Sequence, residues 1–369
     1  MERGSFLYKG LLCLVFLAMV YIIWQLNTNY FSNKEQRGIF RSGNQTKRWI
    51  IIFWSTVFGK QLHLQIEWDK DRCPVQCQVT SDRSRESEAS GFIVHARDAD
   101  VDPPTDKVPW ILWTQENPVY TPVLNNHEFM SKFNLLESYR LDSDFPDPVY
   151  SVPKMTPPVP FNEKTGFIMA AFSNCEPVRT EYMRQVMQFV QVDSYGECLK
   201  NKNDLVARYA SANGKDFKQL KIELAKTYKF VLVFFNQDCE YFIDDQLTHA
   251  FDAGSVPVVM GTDKLDEFLP GNLKNSVVRV RDFKSPRLLA EYLKTLSNNE
   301  GQYIKYLEWK WKGIGDITGT VIGNYWNPKY PLYCQMCVVL SEGRVHKGGL
   351  QADNCRPRTF EDWGIVSGA

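Results

Sequence analysis

The stretch from Tyr228 to Gly261, YKFVLVFFNQDCEYFIDDQLTHAFDAGSVPVVMG, constrains the fold of this chain more than any other. Phe230 to Phe235 is an unbroken apolar run with the length and composition of a strand buried on both faces. A polar turn follows. Asp244 stands where an N-cap would stand, Leu247, Ala250 and Phe251 recur at helical spacing, and Gly254 is placed to end the helix before a second apolar run, Val256 to Met260. Strand, turn, helix and strand make a parallel βαβ unit, with the turn at the carboxyl end of the first strand. There the unpaired amides of the helix face outward and attract a phosphate. The same pattern also fits an ordinary βαβ repeat with no ligand.

The whole chain has 369 residues, 44% of them apolar, which is enough for two cored domains of ordinary size. Lysine plus arginine equals aspartate plus glutamate at 43 each, and no basic block occurs, so nothing points to nucleic acid as a partner. Gly10 to Trp24 is almost wholly apolar, and no charge falls between Lys9 and Lys34. A cleaved signal peptide is one reading, but no Ala-x-Ala-like site follows, which favours an uncleaved signal anchor at residues 10–26 after a cytoplasmic tail at 1–9. Arg3 and Lys9 before the span are outnumbered by Lys34, Arg37 and Arg41 after it, and this argues against a lumenal body. Residues 27–47 read as a polar stem carrying the sequon Asn44-Gln45-Thr46.

Of nine cysteines, Cys13 lies in the span and eight remain: Cys73, Cys77, Cys175, Cys198, Cys239, Cys334, Cys337 and Cys355. An even number suits disulfides in an oxidising compartment. A zinc site built from Cys334-x-x-Cys337 with Cys73 and Cys77 is the competing reading. Trp49 to Phe58, Phe92 to His95 and Val108 to Trp113 are expected strands of a first domain at residues 48–155. The proline-rich join from Val152 to Pro160 marks its end, and Gly166 to Ser173 opens a second domain at 156–345, followed by a tail at 346–369.

The central stretch resembles the donor-binding signature of the family 10 α1,3-fucosyltransferases, FENSxCxDYxTEKLxxAxxAGxVPVVxG, with Phe234, Asn236, Cys239, Leu247, Ala250, Gly254, Pro257 and Gly261 in register. Three departures stand out. Phe235 replaces a glutamate, Phe242 a tyrosine, and Asp244-Asp245-Gln246 the Thr-Glu-Lys triplet. Upstream, Glu116, Pro118, Thr121 and Pro122 resemble the family's LESPxxTP block, with Asn117 in place of the serine, and Tyr139-Arg140-Leu141-Asp142-Ser143-Asp144 resembles its YRRDSD block. Val94 to Asp98 resembles a VHARD segment, in which His95 is read as structural. Ser173-Asn174-Cys175, Arg179 and Tyr182 match a further block, and VDSYGEC, Val192 to Cys198, is closest to the branch that modifies protein serine or threonine. YRLDSD is closer to the branch acting on N-acetylglucosamine.

The resemblance implies a GT-B fold: two Rossmann-like αβ domains facing across a cleft, preceded by a transmembrane helix, in a type II Golgi or endoplasmic-reticulum membrane protein. It implies disulfides between the Cys73/Cys77 pair and the late Cys334-x-x-Cys337. It further implies metal-independent, inverting transfer of fucose from GDP-β-L-fucose to a glycan or glycoprotein acceptor. Glu116 would be the base, since a carboxylate in a partly desolvated cleft can take the acceptor's proton; read alone, it is an ordinary surface glutamate. Arg179, Asn236, Asp245 and Gln246 would line the donor pocket, and Tyr139, Arg140 and Asp142 the acceptor side. Asp142-x-Asp144, Asp98-x-Asp100 and Asp100-x-Asp102 also fit the loose Asp-x-Asp pattern of Mn²⁺-dependent transferases. Because Gln246 lacks the lysine's charge, an inactive relative that binds glycans or partners is the alternative, and a transferase using another nucleotide sugar is a third.

Overall fold

The computed structural model describes residues 47–68, 71–203 and 217–365. The expected cytoplasmic tail, signal anchor, stem and Asn44 sequon therefore lie outside the described residues. Among the described residues no helix is long and apolar enough to cross a membrane.

The first sheet contains β1 (Arg48–Phe53), β2 (Gln65–Trp68), β3 (Gln76–Thr80), β4 (Gly91–His95), β5 (Trp110–Thr114), β6 (Leu135–Ser138) and β7 (Phe145–Pro146). Their order is β2-β3-β1-β4-β5-β6-β7, parallel throughout except for the antiparallel β2–β3 edge pair. In β1 the side-chain alternation supplies two layers at once: Ile51 and Phe53 join one apolar cluster, Ile50 and Ile52 another. The apolar run from Trp49 to Phe58 does not continue as a strand beyond Phe53. Instead the chain turns onto the Asp98 carboxylate, which accepts hydrogen bonds from Thr56 Oγ1 and the amides of Phe58 and Gly59.

The second sheet contains β8 (Gly166–Ala170), β9 (Val192–Ser194), β10 (Tyr228–Phe234), β11 (Val256–Met260) and β12 (Val278–Arg279), in the order β12-β11-β10-β8-β9 and wholly parallel. Renumbered from its own first strand, this is the doubly wound 2-1-3-4-5 order. Its topological switch point lies between β8 and β10, where ligands of such sheets bind beyond the carboxyl ends of the strands. Helices α1 (Pro177–Met187), α2 (Phe217–Ala225), α3 (Gln246–Ala253) and α4 (Pro286–Ser297) cover both faces. Val231 and Val233 pack towards α2 and α3, while Phe230, Leu232 and Phe234 pack towards α1 and α4.

The central βαβ unit forms as the pattern predicts, with small shifts. β10 begins two residues before Phe230, because Tyr228 pairs with Gly166; a Cβ on Gly166 would lie 2.4 Å from the Tyr228 ring. Helix α3 starts at Gln246, so Asp244 is not its N-cap by position, although its carboxylate still accepts from the Gln246 amide at 3.0 Å. Gly254 ends α3 in the left-handed region at φ 65°. Phe235, at the family's glutamate position, is fully buried, and its ring fills the space left by Gly261, where a Cβ would meet Phe235 Cδ2 at 2.2 Å.

After α4 the chain returns. Helix α5 (Leu332–Ser341), expected in the second domain, packs Cys334, Met336, Cys337 and Leu340 against the β1 and β3 side chains of the first sheet. Disulfides Cys73–Cys334 and Cys77–Cys337 fix it there, with Cys175–Cys198 and Cys239–Cys355 completing four bridges. The sulfurs are thus bonded to one another rather than gathered as a zinc ligand set. Residues 350–365 are not a loose tail. The Leu350 amide donates to Phe133 O and that of Asp353 to Leu124 O, Arg358 is buried, and Trp363 and Ile365 join the α1/α4 layer of the second sheet. The segment is a strap across both sheets.

Candidate active site

The switch point is clamped by one side chain. Pro177 and the Glu176 cap start α1 immediately after the β8 turn, and Glu176 accepts from the amides of Val178 at 3.1 Å and Arg179 at 2.9 Å. This aims Arg179 back across the strand ends. Its Nη1 donates to Phe234 O at 2.6 Å, and Nε and Nη2 both donate to Asn174 O. The guanidinium lies 5.0 Å over the Phe172 ring, and the residue is 3% exposed. Arg179 therefore braces the two strands that flank the ligand crevice.

Asn236 follows β10 in that crevice and meets the first sheet there. Glu116 lies just past β5, its backbone held by Thr114 Oγ1, which accepts from the Glu116 amide at 3.2 Å and donates to its carbonyl at 3.0 Å. Glu116 Oε1 accepts from Asn117 N at 3.0 Å and Nδ2 at 2.8 Å, and the same Asn117 Nδ2 donates to Asn236 Oδ1 at 2.8 Å. Asn117 is fully buried. Among the described residues Glu116 Oε2 makes no hydrogen bond. Glu116 is thus pinned through one oxygen to Asn117, which in turn reaches Asn236 after β10.

Beyond the same loop, Asp244 accepts from the Gln246 amide and, at 3.4 Å, from Gln246 Nε2. Burial pushes the Asp244 carboxyl up to about 7, the Asp245 charge adds to this, and the Gln246 N–H and Arg179 oppose it. The Asp245 carboxylate is 3.4 Å from His249 Nε2, yet burial pulls His249 down to about 4, so the imidazole is neutral. Glu116, Asn236, Arg179, Asp245 and Gln246 are accordingly gathered around the ends of β5, β8 and β10 and the start of α3.

Tyr139, Arg140 and Asp142 form a neighbouring cluster. Arg140 binds Asp142 through Nε and Nη2 at 2.8 Å each, donates to Glu240 at 2.8 Å, and lies 3.5 Å from Asp353. The Tyr139 hydroxyl points to Asp353 at 3.4 Å and its ring packs edge-on against Phe242. The lost tyrosine hydroxyl at position 242 is thus accommodated by an aromatic contact. Tyr139 and Arg140 line a cavity of about 750 Å³ that runs from Thr114 and Ser138 past Glu240 and Arg281 to strap residues 351–358. None of the five donor-side and catalytic candidates lines it, so the cavity adjoins the Glu116 cluster through Thr114 and does not contain it. The Asp-x-Asp pairs are dispersed: Asp98 binds His95, Asp102 pairs with Lys132, and Asp144 accepts from Leu136 N and faces His346. Among the described residues no group of acids, histidines and cysteines could hold a metal ion. Asn117, Glu176 and Arg358 went unnoticed as site residues in the sequence. Only Asn117 left a trace there, as the odd residue in the Glu116 block.

Two family models match the chain: glycosyltransferase family 10 (fucosyltransferase) C-term over residues 161–350, and fucosyltransferase, N-terminal, over residues 46–150. Among curated proteins, the 4-galactosyl-N-acetylglucosaminide 3-alpha-L-fucosyltransferase 9 of Rattus norvegicus is 31% identical over 76% of this chain and 75% of its own length. The GDP-fucose protein O-fucosyltransferase 3 of Danio rerio is 29% identical over 71% of this chain, and that of Gallus gallus 29% over 74%. The chain spans 60% of the length of each of those two relatives. A crystal structure of an alpha1,3-fucosyltransferase with GDP-fucose aligns over 85% of this chain and 95% of its own, with 15% identity and a TM-score of 0.49.

Proposed function

The chain belongs to glycosyltransferase family 10, and from that premise we propose that it transfers fucose from GDP-β-L-fucose to an acceptor hydroxyl with inversion, without a metal ion. The observation that carries this is the hydrogen-bonded line Glu116–Asn117–Asn236, which ties a candidate base on one sheet to the donor-side loop of the other. In this reaction Glu116 Oε2 takes the proton of the acceptor hydroxyl as its oxygen attacks the anomeric carbon. The bond to the β-phosphate breaks on the opposite face, GDP leaves with the electron pair, and the β-linked sugar becomes α-linked. Asn236 and the amides at the start of α3 face the nucleotide, and Arg179 keeps the crevice open by bracing its two edges. Gln246 contributes a hydrogen-bond donor where a lysine would contribute charge.

The acceptor is the N-acetylglucosamine of a glycan or a serine or threonine of a glycoprotein, and it lies in the cavity beside Tyr139 and Arg140. We place the body in the Golgi lumen, or that of the endoplasmic reticulum, behind a type II anchor, a setting that suits four disulfides. The test is calorimetric titration with GDP, GDP-fucose and GDP-mannose in EDTA, followed by turnover on glycan and serine/threonine peptide acceptors. Selective binding of GDP-fucose with turnover supports the proposal, and absence of binding by folded protein overturns it. One observation favours a second reading, a catalytically silent member that binds glycans or partners. Arg179 is buried and spends its hydrogen bonds on carbonyl groups, while Gln246 is neutral, so the nucleotide is offered little free charge. Binding of acceptor glycans without turnover would decide for it.

A further inference from the structure

The strap lies beyond residue 350, where the family match ends, yet Cys355, Arg358 and Trp363 in it all bind the donor-side loop. Arg358 is the centre of these contacts. Its Nε donates to Glu176 Oε2 at 3.0 Å, its Nη1 to Asp238 Oδ1 at 2.9 Å and its Nη2 to Phe235 O, while its amide donates to Gln237 Oε1 at 3.2 Å. Cys355 is bonded to Cys239, and Trp363 Nε1 donates to Asp238 Oδ2 at 2.7 Å. Arg281 stacks on Trp363 at 4.3 Å and lies 3.7 Å from the same Asp238 oxygen. The strap thus grips residues 235, 237, 238 and 239, leaving Asn236 as the one residue of that run turned towards Asn117.

The charges give this a direction. Glu176 and Asp238 have side chains only 4% and 16% exposed, and that of Arg358 is 1% exposed. A buried carboxylate stripped of its cation is strongly destabilised and protonates, moves, or draws in water. Glu176 caps the helix turn that carries Arg179, and Asp238 is two residues from Asn236, so either response displaces a group placed at the donor crevice.

We infer that Arg358 is a positioning residue of the donor site, holding the 235–239 loop and, through Glu176, the Arg179 turn in the geometry that receives a nucleoside diphosphate sugar. This rests on the fucosyltransferase reading for the identity of the nucleotide. The strap is then part of the nucleotide site although it touches no nucleotide.

The test compares full-length wild type, Arg358→Gln, Arg358→Lys and Trp363→Phe in two measurements: hydrogen–deuterium exchange without nucleotide, and titration with GDP. Arg358→Gln should raise exchange at least tenfold in segments 172–180 and 234–246 while leaving β1 and β4 unchanged, and should weaken GDP at least tenfold. Arg358→Lys should recover part of both losses, since it keeps the charge but not the three-way geometry. If Arg358→Gln does not fold, Trp363→Phe should show the same pattern at a severalfold level. Unchanged exchange in 234–246, or GDP affinity within twofold of wild type, overturns the inference. Wild type that binds no GDP would overturn the functional reading instead, and the exchange measurement would still judge the hold of the strap on the loop.

Discussion

Restoring the family's lysine at position 246 should strengthen nucleotide binding and change its pH dependence. Gln246 lies against Asp244, with its amide at 3.0 Å and its side-chain nitrogen at 3.4 Å from the two carboxylate oxygens. Because burial and Asp245 push Asp244 up to about 7, it is mostly neutral at pH 5.5 and mostly anionic at pH 8. The anion would repel a diphosphate placed at the start of α3. GDP affinity of the wild type should therefore fall as pH rises through about 7. In Gln246→Lys an ammonium about 4 Å from Asp244 is worth up to roughly 4 kcal/mol at an effective dielectric of 20. Asp244 is partly open to water, so about 1–2 kcal/mol is the realistic share, enough to bring its carboxyl down by about one pH unit. A charge-assisted bond to a phosphate oxygen adds about 1.5–3 kcal/mol, and roughly 10–100-fold tighter GDP binding is expected. Calorimetric titration of both proteins from pH 5.5 to 8 measures this directly. Wild-type affinity that is flat over that range, or a variant that binds GDP no tighter, would refute the placement of the diphosphate beside Asp244.

Glu116→Gln should lower turnover by about 100–10,000-fold, the range for loss of a general base, with GDP affinity within about threefold of wild type by the same titration. Gly261→Ala should destabilise by about 1–3 kcal/mol, because its methyl group would overlap the Phe235 ring; urea melts followed by circular dichroism read this as a lower midpoint. The Cys73–Cys334 and Cys77–Cys337 bridges are partly redundant: with one intact, the other closes only a short ring. Serine replacement of the first pair should cost roughly 2–3 kcal/mol and of the second roughly 5 more, since that step opens a loop of 260 residues; thermal melts of single and double variants separate the two. The Asp244 contribution to folding stability should fall as pH rises from about 4 to 7, since its folded-state value is raised above the ordinary 3.8 and its proton is held more tightly when folded, while His249, lowered to about 4, contributes a rise over much of the same range; Asp244→Asn should remove the falling part and leave stability rising with pH in denaturant melts.

Local order was legible where it rested on neighbours in the sequence. Val256–Met260 and Gly254 fall where the apolar run and the helix stop place them, since strand length and a left-handed residue are written in the residues themselves. The run from Trp49 misled because an apolar string carries no mark of where its partner strand stops. Phe58 keeps the look of a strand residue while standing 64% exposed at φ 50°. The expected pairing of the early cysteines with the late Cys-x-x-Cys holds, and it brings α5 onto the first sheet, where helical spacing alone gives no hint of its destination. Arg358 was least legible of all. Its partners Glu176 and Asp238 lie 182 and 120 residues away, in a segment without periodicity, and only the folded chain brings the three together.

The return of α5 also dictates an order of assembly. The first sheet is synthesised early, but the helix that closes one of its faces, and both sulfurs that Cys73 and Cys77 require, arrive about 260 residues later. At ~5–20 residues per second, that half waits roughly 13–50 s with an apolar face and two thiols unprotected, while the second sheet is completed in between. The half that is made first must finish folding last, and during that interval it depends on whatever in the cell shields such surfaces.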